Sequence, residues 1–208
     1  MAGTAEIAAA KSSLRQTIRK RRAGLSTEAL RQSAADLRST GAPVHEQLSP
    51  GSIIAAYLPF GSEPPVLPLL SELASDHSVF VPVCQPGRVM NWVLWEPGAE
   101  LLPGPLPGLM EPSGERHSSR MMADAAVIFI PALAVSRDGS RLGQGGGYYD
   151  RFLAELSRGP LRCAVVFDEE VLPAGAIPTD SRDQAVEHML CPGFTASLGS
   201  AGTPGDID

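Results

Sequence analysis

Ala125-Ala126-Val127-Ile128-Phe129-Ile130-Pro131-Ala132-Leu133-Ala134 is an apolar run, and Gly143-Gln144-Gly145-Gly146-Gly147-Tyr148-Tyr149-Asp150-Arg151 follows close behind it. The first stretch reads as a buried strand. Past the glycines, Tyr149, Phe152, Leu153 and Leu156 recur at helical spacing, which predicts a helix from about Gly147 to Ser157. The glycines therefore sit where a strand turns into a helix. Glycine permits positive φ and leaves the backbone bare to a ligand. A helix N-terminus adds unpaired N–H groups and the positive end of a dipole, which suits phosphate. A glycine-rich surface turn is the plainer reading. The clustering of Arg141, Tyr148, Tyr149, Asp150 and Arg151 around the glycines favours a binding site.

The loop is not a Walker motif, because Gly147 is followed by two tyrosines rather than by Lys and Ser or Thr. The glycines also miss the dinucleotide spacing. Asp150 narrows the ligand. A carboxylate in a first helical turn suits the dipole and needs no further role. Beside a polyphosphate, however, it repels unless a cation lies between them, and Mg²⁺ is the usual bridge. Glycine loop, Arg141 and Asp150 together point to Mg·ATP rather than a monophosphate.

Working outward, residues 4–22 read as an Ala-rich, then basic, helix, and Ser26 as the N-cap of a second helix from Thr27 to about Gln47. Ser52–Leu58 is strand-like and Pro64–Ala74 helical. Val79–Val83 and Met90–Trp95 are further strands, the latter with period-two alternation. Glu96–Arg120, rich in Pro, Gly and Ser, reads as loop. Strands follow near Val127–Ile130, at Leu161–Phe167 and at His188–Cys191. Alternating strands and helices predict an α/β fold with a mixed, mostly parallel sheet. One domain spans residues 1–194, with a helical segment at 4–47, and residues 195–208 form a disordered tail. In such a sheet ligands bind beyond the carboxyl ends of the strands. Tyr57–Glu63 and Ile177–Asp183 could share that edge with the glycine loop. Asp168, Glu169 and Glu170 read as a solvated helix start. Trp92 and Trp95 read as core residues.

A net charge of −6 argues against a general nucleic-acid binder, although eight of the seventeen Lys and Arg lie between Lys11 and Arg38. Cys84, Cys163 and Cys191 are far apart and form no C-x-x-C, so buried thiols are expected rather than a metal or redox pair. His45, His77, His117 and His188 show no metal-ligand spacing. The short apolar start contains Glu6 and carries its positive charges after it, unlike a signal peptide. No apolar run reaches membrane-span length. A cytoplasmic monomer is expected, with no nucleic-acid or membrane partner.

Several motifs, in order, resemble one family. Lys11-Ser12-Ser13-Leu14-Arg15 is similar to an N-terminal Lys-x-x-Leu-Arg motif, Tyr57–Glu63 to a strand-loop-Glu element, and Met110-Glu111-Pro112 to a Glu-Pro signature. Pro131–Ala134, then Asp138-Gly139-Ser140-Arg141-Leu142-Gly143 through Tyr149-Asp150-Arg151, resembles its long central signature, and Pro178 with Asp183 its late element. The family is 5-formyltetrahydrofolate cyclo-ligase, also called methenyltetrahydrofolate synthetase.

The resemblance implies a three-layer α/β/α sandwich, of the group that includes ribose-5-phosphate isomerase and coenzyme A transferases. It implies ATP-dependent closure of 5-formyltetrahydrofolate, polyglutamylated or not, to 5,10-methenyltetrahydrofolate, with release of ADP and phosphate through a phosphorylated formyl (iminium phosphate) intermediate. It assigns ATP contacts to Lys11, Arg15, Arg141, Leu142, Gly143, Gln144, Gly145, Gly146, Gly147, Tyr148 and Tyr149. Folate contacts fall to Leu58, Glu63, Gln144, Gly145, Gly146, Gly147 and Tyr148, and the Mg²⁺ carboxylates are Asp150 and Asp183. Arg141, Gln144 and Tyr148 are its catalytic candidates.

Lys11 and Arg15 are one helical turn apart, so both can face one polyphosphate, or both can belong to a solvated basic face. Glu63 could accept the paired donors of a pterin ring, or be an ordinary loop glutamate. Gln144 departs from the family, where an Arg or aromatic residue is frequent. Glu187 stands where Asp is common, and Leu102–Gly108 lacks an aromatic folate contact. The rival readings are a non-catalytic nucleotide- or folate-binding member of the fold, and a sugar-phosphate isomerase or acyl-CoA transferase suggested by fold alone.

Overall fold

The computed structural model describes residues 3–105, 108–156 and 159–199. Two helices come first, α1 (Thr4–Arg22) and α2 (Thr27–Glu46). Ser26 caps the second, its hydroxyl accepting the Ala29 N–H at 3.1 Å. Then follow β1 (Ile53–Ala55), α3 (Leu67–Leu73), β2 (Ser78–Gln85) and β3 (Val89–Leu94). Three short strands, β4 (Leu101–Pro103), β5 (Met110–Pro112) and β6 (His117–Ser118), lead through a 3₁₀ segment at Ser119–Asp124 to β7 (Val127–Pro131). Next are β8 (Ala134–Ser136), β9 (Arg141–Leu142), α4 (Tyr148–Glu155) and β10 (Leu161–Val165). A 3₁₀ turn at Asp168–Glu170 precedes β11 (Val171–Leu172), β12 (His188–Leu190) and β13 (Thr195–Ser197).

Eight of the strands form one sheet in the order β13-β12-β10-β7-β1-β2-β3-β6. The inner strands β12, β10, β7, β1 and β2 run parallel, while β13 at one edge and β3 and β6 at the other pair antiparallel. Inner parallel strands are covered on both faces and so are apolar at every position. Val127, Ile128, Phe129 and Ile130 are all buried. Their side chains alternate between two cores. Val127 and Phe129 join Ile54, Val81 and Val165 beneath Leu37 of α2 and Leu69, Leu70 and Leu73 of α3. Ile128 and Ile130 join Ala55, Ala164 and Trp92 beneath Phe152 and Leu153 of α4. The result is the three-layer arrangement that the family resemblance implied. Helix α2 lies close on α3, because a side chain on Gly41 would sit 2.7 Å from Leu69.

Helix α1 belongs to neither outer layer. Its Leu14 and Ile18 pack on Leu133, Ala134, Leu142 and Ile177. Much of that small core is the three-stranded sheet β11-β8-β9.

Several expectations change. The apolar run does not feed the glycine loop directly, since it divides after β7 and the loop leaves from β9 of the small sheet. Two-residue strands such as β9 and β11 are too short to show any periodicity. Glu96–Arg120 contains the β4–β5 hairpin and β6, because an antiparallel pair can form at a sheet margin even among prolines. The tail does not begin at 195, since Thr195–Ser197 pairs with β12. Its remainder from 200 onward, and Ser157 at the expected end of α4, lie outside the described residues. Cys163 and Cys191 are buried, but Cys84 is only half-buried. Trp92 and Trp95 are buried as expected. Among the described residues no helix is long and apolar enough to cross a membrane.

A candidate active site at the carboxyl edge of the sheet

The glycine loop from Gly143 to Gly147 links β9 to α4. Gly145 and Gly147 have φ of +101° and +72°, a region that side-chain-bearing residues avoid. Gly147 is the N-cap of α4 in the left-handed conformation. Among the described residues, no backbone N–H from Gly143 to Asp150 donates a hydrogen bond. Such a run of free donors at a helix N-terminus is an anion cradle.

Helix α1 lays a stripe of cations along this cradle. Lys11, Arg15, Arg19 and Arg22 recur every three or four residues and so share one face. Lys11, only 7% exposed, donates to Asp183 Oδ2 at 2.5 Å and lies 3.5 Å from Asp180. Arg15 donates to the Gly143 carbonyl at 2.9 Å, and its guanidinium would lie 3.5 Å from a side chain on Gly145. Arg19 grips Gln144 by its carbonyl at 2.8 Å and its side-chain oxygen at 2.9 Å. Arg22 is buried, clasping Glu170 through two bonds of 2.8 and 2.7 Å and reaching the Ala132 carbonyl. The basic face is therefore docked rather than solvated. Burial and the neighbouring Arg19 lower the Arg15 pKa, while Asp183 and Asp150 oppose that shift.

Asp150 and Asp183 converge from different elements. Asp150, in the first turn of α4, accepts Arg141 Nη2 at 2.5 Å and the Gln184 N–H at 3.3 Å. Gln184 adjoins Asp183, whose Oδ2 also accepts the Asp180 N–H at 2.6 Å. Arg141 itself is buried beneath the loop, with Nε unpartnered among the described residues. Burial lowers its pKa against the attraction of Asp150. Among the described residues no three His, Cys, Asp or Glu are placed together as a metal cage. Two carboxylates facing a phosphate cradle nonetheless suit Mg²⁺, which takes one or two protein carboxylates and fills its sphere with phosphate oxygens and water.

Across the loop stands Glu63. The Tyr57 hydroxyl pins the Pro64 carbonyl at 3.0 Å, and the Phe60 N–H donates to Glu63 Oε2 at 3.1 Å. Burial pushes the Glu63 carboxyl above its ordinary range, against the Phe60 N–H, the Arg22 charge and the Gln144 amide. The Tyr149 hydroxyl is buried without a partner among the described residues, and burial with the Glu63 charge raises its pKa. The ring of Phe60, 39% exposed, would lie 3.4 Å from a side chain on Gly108. The segment from 96 to 120 thus reaches the Glu63 loop.

Lys11, Arg15, Arg141, Gln144, Asp150 and Asp183 are joined by these bonds to one loop, and Glu63 lies beside Gln144. Tyr148 is half-buried at the start of α4, its ring against Gly146. Leu142 turns its side chain into the small core beneath α1, and Leu58, half-buried, packs against the core under α2 and α3. The sequence reading missed Arg19, Asp180 and Gln184. It also took the acidic cluster for a solvated helix start, whereas Glu170 is wholly buried against Arg22 and Asp168 accepts the Gly193 N–H. Arg19 and Glu170 meet partners 125 and 148 positions away, so no local signal marks them.

The comparisons agree with this architecture. The family model described as "5-formyltetrahydrofolate cyclo-ligase family" matches residues 7–192. The 5-formyltetrahydrofolate cyclo-ligase of Mycolicibacterium smegmatis is 36% identical over 148 residues, covering 68% of this chain and 74% of that protein. The NMR structure of Aquifex aeolicus 5,10-methenyltetrahydrofolate synthetase superposes with a TM-score of 0.75 at 27% identity, over 94% of this chain and 96% of that one. A Mycoplasma pneumoniae 5,10-methenyltetrahydrofolate synthetase shares the fold, with a TM-score of 0.67 at 19% identity, over 86% of this chain and 97% of that one. On the span of that family match and on these likenesses, this chain belongs to the 5-formyltetrahydrofolate cyclo-ligase family.

Proposed function

We propose that this protein closes 5-formyltetrahydrofolate to 5,10-methenyltetrahydrofolate at the expense of ATP, releasing ADP and phosphate. The observation that carries the reading is the cradle of free N–H groups from Gly143 to Asp150, with Asp150 and Asp183 on one side and the half-buried Glu63 on the other. An amide-like formyl oxygen leaves poorly until it is phosphorylated. It attacks the terminal phosphorus, and the bond to the ADP oxygen breaks. The N-10 nitrogen then attacks the activated formyl carbon and loses its proton, and the carbon–oxygen bond breaks to release phosphate.

Such chemistry asks the protein for positioning and charge neutralisation rather than a nucleophile. The loop amides, Arg15 and Lys11 hold the polyphosphate. Asp150 and Asp183 would hold Mg²⁺, which supplies charge neutralisation on the phosphate oxygens when bound. Glu63 accepts the ring N–H and amino donors of the pterin, and Gln144 and Tyr148 border the groups being joined. Arg141, clamped by Asp150 under the loop, fixes its shape and adds positive charge.

The test is direct. Purified protein with Mg·ATP and 5-formyltetrahydrofolate should generate the absorbance of the methenyl product, and no signal should develop without ATP. Folded protein that binds ATP yet forms no product would establish a non-catalytic binding module instead.

A further inference from the structure

Lys11, Arg15, Arg19 and Arg22 of the α1 stripe are all engaged, but one guanidinium at the cradle is not. Strands β2 and β3 pair antiparallel with Gln85 opposite Val89, leaving Pro86, Gly87 and Arg88 as the turn between them. Arg88 has φ of +63° and is the only residue other than glycine with positive φ among the described residues. A side-chain-bearing residue there is strained, and such outliers persist where surrounding structure or function holds them. The turn is tied to α4, since Arg151 Nη1 donates to the Gly87 carbonyl at 3.2 Å. Arg88 Nη1 lies 3.9 Å from where a Cβ on Gly147 would stand. Gly147 is the N-cap of α4, whose following N–H groups are free. Among the described residues Arg88 has neither an ion pair nor a side-chain hydrogen bond, and its side chain is exposed. The loop itself carries no cation between Gly143 and Gly147. Arg15, Arg19 and Arg141 are each bound to loop or carboxylate.

We propose that Arg88 is a phosphate-binding residue, delivered by the β2–β3 turn to the N-terminus of α4, where its guanidinium fork takes oxygens of the ATP polyphosphate. The inference rests on the ATP-dependent reading above and deepens it. A free guanidinium over unpaired amides offers two further donors in the planar arrangement that phosphate accepts. Arg151 acts as a positioning residue, through its hold on the turn.

The experiment measures ATP affinity by calorimetry and KM for each substrate, in wild type and in Arg88→Ala, Arg88→Lys and Arg88→Gly, with thermal unfolding alongside. Arg88→Ala should weaken ATP about ten- to a hundredfold, the range of hydrogen bonds to charged groups, and leave the folate KM unchanged. Arg88→Lys should fall between. Arg88→Gly should lose the same ATP affinity while unfolding no earlier than wild type, because it relieves the positive-φ strain. Unaltered ATP affinity in Arg88→Ala would overturn the assignment. So would a rise in folate KM alone, which would give the guanidinium to the carboxylates of the folate tail. A wild-type protein that binds no ATP would remove the reading beneath, a result distinct from any shift among the variants.

Discussion

The two ends of helix α1 carry the same kind of residue to opposite effect. At its C-terminal end Arg22 meets Glu170, with both side chains sealed from solvent. Arg22 adds a bond to the Ala132 carbonyl, stands 5.3 Å over the Phe167 ring, and leaves Glu170 to accept the Phe167 N–H. Toward its N-terminal end Lys11 and Arg15 meet Asp183 and Gly143 beside a loop of unpaired N–H groups. One end is sealed from solvent and holds the helix to the fold, with only Arg22 Nη1 left without a partner among the described residues. The other keeps unused capacity at the place where a polyanion would fit.

The contrast can be broken first at the closed end. Arg22→Ala leaves Glu170 buried with only the partly exposed Arg21, at 3.3 Å, and the Phe167 N–H as partners, and should cost about 3 kcal/mol of stability, the low end for a broken buried pair, read by chemical denaturation. A loss below about 1 kcal/mol would mean that the pair behaves like an exposed one. At the open end, Asp150→Asn should lower Mg²⁺-dependent turnover by about 10–100-fold or more, since loss of even an indirect metal partner costs that much. Asp150 also steadies the buried Arg141, so unfolding should be followed in parallel. Loss of fold with unchanged activity per folded molecule would make Asp150 structural. A smaller change is expected at Gly147→Ala. A Cβ at φ of +72° should cost roughly 1–2 kcal/mol and disturb the cradle, raising KM for ATP more than KM for folate.

The smallest effect lies far from both ends of α1. His77 is buried against His45, at 5.1 Å between rings, and beside Asp76. Burial lowers its pKa, helped by His45 and opposed by Asp76. A histidine whose folded pKa lies below its unfolded value binds fewer protons when folded. Its stabilising share is complete above the unfolded pKa of about 6.5 and is lost as pH falls from there through the folded value. Wild type should therefore lose stability as pH falls below about 6.5 more steeply than His77→Gln. Parallel curves would show that His77 is protonated freely in the fold.

Much of this was legible because its signals are local. The Ala-rich, then basic, stretch predicted a helix at residues 4–22, and α1 has those bounds. Ser26 declared its cap, and the unbroken apolar run of β7 declared a strand covered on both faces. The glycine loop and the order of Lys11, Glu63, Asp150 and Asp183 around it outlined the candidate site. What stayed hidden depends on distance along the chain. Glu170 looks solvated until Arg22, 148 residues earlier, covers it. Arg88 looks like any arginine in a turn until the turn is laid against α4. Strands β8, β9 and β11 are too short to show a period, so the small sheet beneath α1 left no trace.

The bond between Lys11 and Asp183 spans 172 positions of the chain. During synthesis α1 emerges before the strands of the sheet, and domains acquire structure as their parts become available. Its cationic stripe must then wait, without its carboxylate partner, until nearly all of the parallel sheet has been made. The bond beside the anion cradle can therefore close only after the strands up to β11 have been made.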